Sequence, residues 1–322
     1  MFGTEMIAII VAMLLSYMLL STVCSALNEW IAAVTASRSR YLSAGIMRLL
    51  NDPNGTFQVN GKSLYNELVE HPLVKGLTGP GYLDRFSHGF KWPAYLPSVH
   101  FATAFLDTLA PAQSAGQPRT LAEIHEAIDA LRPGDLQRTL VLLANDSEND
   151  LDRLRKNLER WYDEGMVRVS GWYKRYTQVS IIVIALIVAV SLNVDTFMML
   201  RLLSSDPTTR SQLVAAAQVE INGVNNLPPN QKPDPDAALL RLLASRSQLN
   251  AVPLPIGWTA TDDLEDDRRV PGDLRGWSLK VPGFVISTIA LSMGAPFYFD
   301  LLKKFVNVRL AGTAPGEKDK GK

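Results

Sequence analysis

The chain has 322 residues, of which 47% are hydrophobic and 20% are charged. Lys plus Arg and Asp plus Glu each number 32, so the formal net charge is zero and the charge balance predicts no nucleic-acid partner. The single cysteine, Cys24, excludes a framework of disulfides within the chain.

Three apolar stretches predict membrane helices. Residues 6–28, 176–194 and 281–299 contain no Asp, Glu, Lys or Arg, and a helix needs about 20 apolar residues to cross a bilayer. The sequence therefore predicts an all-α membrane protein with three transmembrane helices. The predicted segments are transmembrane helix 1 at 1–34, a mainly helical cytoplasmic domain at 35–178, transmembrane helix 2 at 179–203, a smaller extracytoplasmic helical and loop region at 204–280, transmembrane helix 3 at 281–302 and a cytoplasmic tail at 303–322.

The first apolar stretch is predicted to stay in the protein as an anchor. A signal peptide begins with basic residues and has a shorter apolar core, whereas Met1–Glu5 contains no Lys or Arg. Lipoprotein-type cleavage before Cys24 is an alternative, but residues 21–23 fit such a site poorly.

The predicted cytoplasmic domain consists of helical segments separated by Gly and Pro. Residues 32–50 are expected to continue the first helix along the membrane surface, where their arginines meet lipid phosphates. Thr120 and Glu123 form a capping-box pattern that predicts a helix start. Residues 147–166 are expected to form an amphipathic helix that leads into the second span.

The predicted extracytoplasmic region is expected to contain helices at 208–221 and 236–249. Its acidic run at 262–267 could attract a hard cation such as calcium, but the alternating spacing of a calcium loop is absent, so a solvated loop is favoured. Asn193 and Asp195 form a polar pair at the outer end of the second span. Helix capping or a hydrogen bond to a neighbouring span is the favoured interpretation of this pair, and the lining of an ion path is the alternative.

Charged residues at the predicted cytoplasmic ends of the three spans are expected to form an inner-interface polar cluster. Ion pairs in this cluster would join the three helices. Charges at this depth usually pair or face a protein interior, although separate contacts with lipid headgroups would explain the same residues. The cluster comprises Glu29, Lys174, Arg175, Asp300, Lys303 and Lys304.

Basic residues predict the orientation of the spans. They are more numerous near the span ends that face residues 29–178 and the C-terminus than near the ends that face residues 204–280. The positive-inside rule therefore predicts an external N-terminus and a cytoplasmic C-terminus.

No motif in the sequence indicates a reaction. The stretch from Gly55 to Ser63 has one residue too many between its glycines for a phosphate loop. The histidines do not have the spacing of metal ligands, and no serine lies in a Gly-x-Ser-x-Gly elbow. The sequence predicts no catalytic, cofactor-binding or metal-binding residue and no cofactor.

Several segments together resemble a group of uncharacterised bacterial integral membrane proteins. The strongest likeness is Arg168-Val-Ser-Gly-Trp-Tyr-Lys-Arg-Tyr-Thr-Gln178, followed by Asn193-Val-Asp-Thr196. Further marks are Trp161-Tyr162, His71-Pro-Leu73, Pro93-Ala-Tyr-Leu-Pro97 and Gly294-Ala-Pro-Phe-Tyr-Phe-Asp-Leu-Leu302. One departure is Tyr176, where the group usually has a basic residue. The resemblance implies a multi-pass protein of the bacterial cytoplasmic membrane and brings no known activity.

The sequence favours a noncatalytic membrane-anchored scaffold or assembly component of a bacterial membrane complex. Its expected partners are the lipid bilayer and a protein partner or further copies of the chain. The alternative is a subunit of an oligomeric channel or transporter, which would place Asn193 and Asp195 toward a shared axis. A membrane enzyme with a nonlocal active site is a third interpretation.

Overall fold

The computed structural model describes residues 2–52, 58–59, 62–78, 92–111, 120–148, 150–225, 254–259 and 267–312. The regular secondary structure of these residues is helical apart from one short antiparallel pair, β1 (Gln58–Val59) with β2 (Lys62–Ser63), and an isolated bridge between Thr259 and Arg269. The predicted helix at 236–249, the phosphate-loop glycines and most of the acidic run at 262–267 lie outside the described residues. The helices are α1 (Phe2–Val34), α2 (Ser37–Leu49), α3 (Leu64–Glu70), α4 (Pro72–Lys75), α5 (Ser98–Leu109), α6 (Leu121–Asp129), α7 (Asp135–Asn145), α8 (Leu151–Ser191), α9 (Thr196–Ser205), α10 (Pro207–Asn225), α11 (Leu274–Ser292) and α12 (Ala295–Gly312).

The chain divides into two compact units. The first, which we call the helical domain, comprises Trp30–Tyr176, and the second, which we call the apolar unit, comprises Met1–Glu29 with Thr177–Lys322. Helix α8 is continuous and contributes to both units.

The helical domain has its own hydrophobic core. Phe101 of α5 stacks on Phe105 and on Tyr162 of α8, with ring centroids 5.6 and 4.3 Å apart. Leu158 and Leu154 lie one and two turns before Tyr162 and are buried on the same face. Burial raises the pKa of the Tyr162 hydroxyl, which donates a hydrogen bond to the Leu96 carbonyl. The predicted amphipathic helix is thus the first part of α8, and its apolar face packs on α5.

Helix α6 begins at the predicted capping box. The Thr120 hydroxyl accepts a hydrogen bond from the Glu123 backbone N–H, and the Glu123 carboxylate accepts one from the Thr120 backbone N–H. The capping-box prediction is therefore confirmed. Ile124 and Ile128 follow it on one buried face.

Two glycines allow α2 and α8 to pack closely within the helical domain. A Cβ added at Gly45 would overlap Cγ2 of Val169, and one added at Gly165 would lie 2.8 Å from Cδ1 of Leu49. The contact near Gly45 is the less adaptable one, because the β-branched Val169 is held near one rotamer in a helix.

We expect Gly45→Ala to lower the free energy of unfolding of the full chain by about 1–3 kcal/mol, the usual cost of overpacking. Gly171 of α8 is the matched control, because a Cβ there would meet nothing within 4 Å. Denaturant titration in detergent compares the two variants. Equal stability of the two would contradict the close packing.

In the described ranges, two helices are long and apolar enough to cross a membrane, α1 from Glu5 and α8. The apolar part of α8 exposes a band of large apolar side chains. Contact of this band with water is unfavourable, whereas its contact with lipid is not. This band contains Val179, Ile182, Val183, Leu186, Ile187 and Val190.

The second span ends earlier than the predicted segment at 179–203. Helix α8 stops at Ser191 and a separate helix, α9, begins at Thr196. Asn193 has a φ of 48°. It lies in a Schellman turn in which the Val194 N–H donates to the Ala189 carbonyl at 2.8 Å. The left-handed residue redirects the chain and ends the helix.

The third apolar stretch is also not one straight helix. Helices α11 and α12 meet at Gly294, which has a φ of 85°, and their axes differ by 95°. The pair counts as a third span only if both helices are taken together. The helix is interrupted at Gly294, and Pro296 follows in the first turn of α12.

Helix α9 packs against α11, and α10 packs against α9 and α12. The buried side chains of α10 are Leu213, Val214, Ala217 and Ile221, and those of α12 are Tyr298, Leu302 and Val306. Helices in contact cannot lie on opposite sides of a hydrocarbon layer about 30 Å thick. Helix α10 therefore lies on the same side as the part of α12 that it contacts, and the sidedness of residues 204–280 and of the C-terminal tail stays a prediction.

Candidate functional site

The outer-end polar pair lies in a buried polar junction of the apolar unit, formed by Asn193, Asp195, Thr196 and Lys280 with their partners. Asn193 is 0% exposed, Asp195 4% and Lys280 7%. Buried polar groups are costly unless they are hydrogen-bonded, so the partners of each side chain determine what the junction does.

The Asn193 side chain joins three parts of the chain. Its Nδ2 donates to the carbonyls of Gly257 at 3.0 Å and Arg268 at 3.2 Å. Its Oδ1 accepts from Nζ of Lys280 in α11 at 2.7 Å. The same residue that ends α8 therefore also fixes two loop segments and the start of the third apolar stretch.

The loop residues next to Asn193 cover the carboxyl end of α8. The Trp258 indole N–H donates to the Val190 carbonyl at 2.9 Å, and the Gly257 N–H donates to the Leu192 carbonyl at 2.7 Å. Carbonyls at a helix end have no partner within the helix. The loop supplies hydrogen-bond donors to two of these end carbonyls.

The Lys280 ammonium is held by an amide and an aromatic ring. Besides its hydrogen bond to Asn193, its Nζ lies 4.6 Å from the centroid of the Trp258 ring and 5.7 Å from that of Phe284. A cation over an aromatic face is stabilised most when water is excluded. Lys280 also places positive charge near the negative carboxyl end of α8.

Asp195 caps α9 from within the packed helices. One carboxylate oxygen accepts from the backbone N–H groups of Phe197 at 2.9 Å and Met198 at 3.4 Å. The carboxylate lies against Gly283 of α11, where an added Cβ would lie 2.6 Å from Cγ of Asp195. Gly283 therefore creates the space that the cap occupies.

A second group of hydroxyls joins α9 to α1 and α11. The Thr196 hydroxyl lies 2.8 Å from the Tyr17 hydroxyl and 2.9 Å from that of Ser287. It is also 3.3 Å from the Gly283 carbonyl. Hydroxyls from three helices thus share hydrogen bonds, as polar side chains do between helices in membranes.

The inner-interface polar cluster is divided between the compact units. Glu29 and Asp300 are exposed and Lys303 is half-buried in the apolar unit, where Nζ of Lys303 lies 4.6 Å from the centroid of the Phe299 ring. Lys174 and Arg175 are exposed on α8 in the helical domain, and Lys304 is exposed on α12. Ion pairing across the cluster stays a prediction.

The sequence pointed to Asn193 and Asp195 but not to the residues that complete the junction. Neither Lys280 nor Trp258 lies in a motif that the sequence analysis identified. One available signal was the position of Lys280, because it lies well inside a helix and directly before an apolar run. Among the described residues, no group of three or more His, Cys, Asp or Glu is placed to hold a metal ion.

The junction's arrangement is suited to holding helices together, because its polar atoms bond to one another and to backbone groups. No family model, curated protein or solved structure matches the chain. The resemblance to the bacterial membrane protein group stays a prediction.

Proposed function

We propose that the chain is a noncatalytic membrane-anchored scaffold or assembly component of a complex in the bacterial cytoplasmic membrane. The N-terminus lies outside, and the helical domain and the C-terminus lie in the cytoplasm. The observation that carries the proposal is the burial of Asn193, Asp195 and Lys280 within a single chain.

The use of these polar groups supports a structural role. An ion path requires polar side chains that meet water, whereas Asn193 bonds to Gly257, Arg268 and Lys280. Asp195 is occupied as a helix cap. A subunit of an oligomeric channel or transporter is the second candidate, because ionisable groups within membranes are often functional.

The helical domain supports the scaffold in a second way. Its core of apolar and aromatic side chains is separate from the apolar unit. A domain with its own core can present a fixed surface to a soluble partner, while α1 and α8 hold it at the membrane.

The packing of α10 on α12 refines the proposed topology. Asp195 lies beside Gly283 and Thr196 beside Ser287, so the start of α9 follows α11 away from its beginning. We place α9 and α10 as a re-entrant segment that turns back along α11 toward α12. The extracytoplasmic part then starts after Asn225.

Purification of the full chain in mild detergent, with mass analysis of the intact assembly, tests the scaffold. We expect a second polypeptide in fixed stoichiometry with the chain. Liposomes that contain the chain alone are expected to pass ions no faster than empty liposomes. A homo-oligomer that conducts ions, with conductance altered by Asp195→Asn, would instead establish the channel.

A further inference from the structure

The face shared by α2 and the end of α8 in the helical domain combines arginines with aromatic rings. We define the arginine-aromatic face by Arg38, Tyr41 and Arg48 of α2 and Arg168, Trp172, Tyr173, Arg175 and Tyr176 of α8. Close packing at Gly45 and Gly165 brings the two helices together beneath it.

Contacts between the two helices order the aromatic rings. The Arg48 guanidinium carbon lies 4.6 Å from the centroid of the Trp172 ring. The Tyr41 ring lies 5.7 Å from that of Tyr173 and 5.4 Å from that of Tyr176. Nε of Arg38 donates to the Tyr173 hydroxyl at 3.3 Å. Tyr41, Tyr173 and Tyr176 thus form one cluster of rings, and Arg48 packs on Trp172, the residue before Tyr173.

The charge of this face is of one sign. Residues 30–51 and 165–194 contain no Asp or Glu. Arg168 and Arg175 flank Trp172 at helical spacing on α8, and Arg48 approaches the same ring from α2. Arg48, Arg168 and Arg175 are exposed and form no ion pair within the described ranges. Three neighbouring guanidinium groups without an ion pair in the described part of the chain favour an external anion.

The position of the face selects the anion. Tyr176 is the first residue of the second apolar stretch, 176–194, along which α8 continues to Ser191. Tyr and Trp favour the headgroup level of a bilayer, and Arg binds phosphate through two parallel hydrogen bonds. We infer that the arginine-aromatic face binds the headgroups of anionic phospholipids in the adjoining leaflet. This inference rests on the proposed membrane location.

The test compares binding of phosphatidylglycerol and phosphatidylcholine to the full chain in detergent, measured by mass analysis of intact protein with retained lipid. The double variant Arg48→Gln with Arg168→Gln is expected to bind phosphatidylglycerol about 25-fold more weakly. This corresponds to about fivefold for each cation removed. Binding of phosphatidylcholine is expected to stay unchanged.

Arg132→Gln with Arg138→Gln is the matched control, because it removes the same charge from exposed sites in the same domain. The control is expected to bind like the unaltered chain, and Arg48→Lys with Arg168→Lys is expected to retain most of the preference. An equal loss in the Gln pair and the control would overturn the inference. Displacement of the lipid by an equal concentration of inorganic phosphate would also overturn it, by assigning the face to a soluble anion.

Flotation with phosphatidylcholine vesicles separates this inference from the proposed function. A chain that floats but shows no preference for phosphatidylglycerol contradicts the lipid site alone. A chain that does not float contradicts the membrane location and the lipid site together.

Discussion

Gly283→Ala is expected to lower the free energy of unfolding of the full chain by about 2–4 kcal/mol. The added methyl would overlap the Asp195 carboxylate, and overpacking costs about 1–3 kcal/mol. The carboxylate cannot move away without losing its bonds to Phe197 and Met198, and loss of a helix cap costs about 1 kcal/mol. Denaturant titration in detergent micelles measures the change.

Gly171→Ala is the control for this prediction too. It adds the same methyl within a helix, where nothing lies within 4 Å, and alanine is favoured over glycine there by about 0.5–1 kcal/mol. The two substitutions are therefore expected to have opposite signs. If both stabilise the chain, the close contact between Asp195 and Gly283 is not present in the protein.

A double-mutant cycle identifies the atoms responsible. Asp195→Ala removes both the cap and the carboxylate that the new methyl would meet. In that background, Gly283→Ala is expected to cost less than it does alone, because the two groups interact directly. Additive effects would assign the cost to some other contact of Gly283.

Lys280→Met is expected to lower the free energy of unfolding by about 2–4 kcal/mol. Methionine has a similar length but cannot donate to Asn193, so a buried amide oxygen loses its hydrogen bond. The cation over the Trp258 ring is lost as well. The same titration in detergent reports the effect.

Lys304→Met removes the same charge from an exposed position in the same unit. Surface substitutions usually change the free energy of unfolding by less than about 0.5 kcal/mol, so this control is expected to be about as stable as the unaltered chain. A Lys280→Met variant as stable as the control would show that the buried lysine does not hold the junction together.

Helices whose limits depend on local composition could be predicted from the sequence. The apolar lengths of α1 and α8 follow from the absence of charges, and the start of α6 follows from Thr120 and Glu123. The buried positions Leu154 and Leu158 follow from helical spacing. These features require no knowledge of distant residues.

The end of α8 could not be predicted in the same way. A Schellman turn usually has glycine in the left-handed position, whereas this chain has Asn193 there, and the apolar residues 197–200 beyond Asp195 favour a longer helix. The conformation is held by Gly257, Arg268 and Lys280. Because these partners are distant in the sequence, no local pattern around residue 193 indicates them.

The membrane crossing of α8 is tested most directly by labelling single cysteines in sealed membrane vesicles, in a Cys24→Ala background. Leu142→Cys and Val270→Cys lie at exposed positions before and after the span, and Val183→Cys lies within it. A membrane-impermeant maleimide is expected to label the first two from opposite sides of the membrane. Val183→Cys is expected to react only after the membrane is dissolved and the protein denatured. Labelling of residues 142 and 270 from the same side, or ready labelling of residue 183 in intact vesicles, would contradict the crossing.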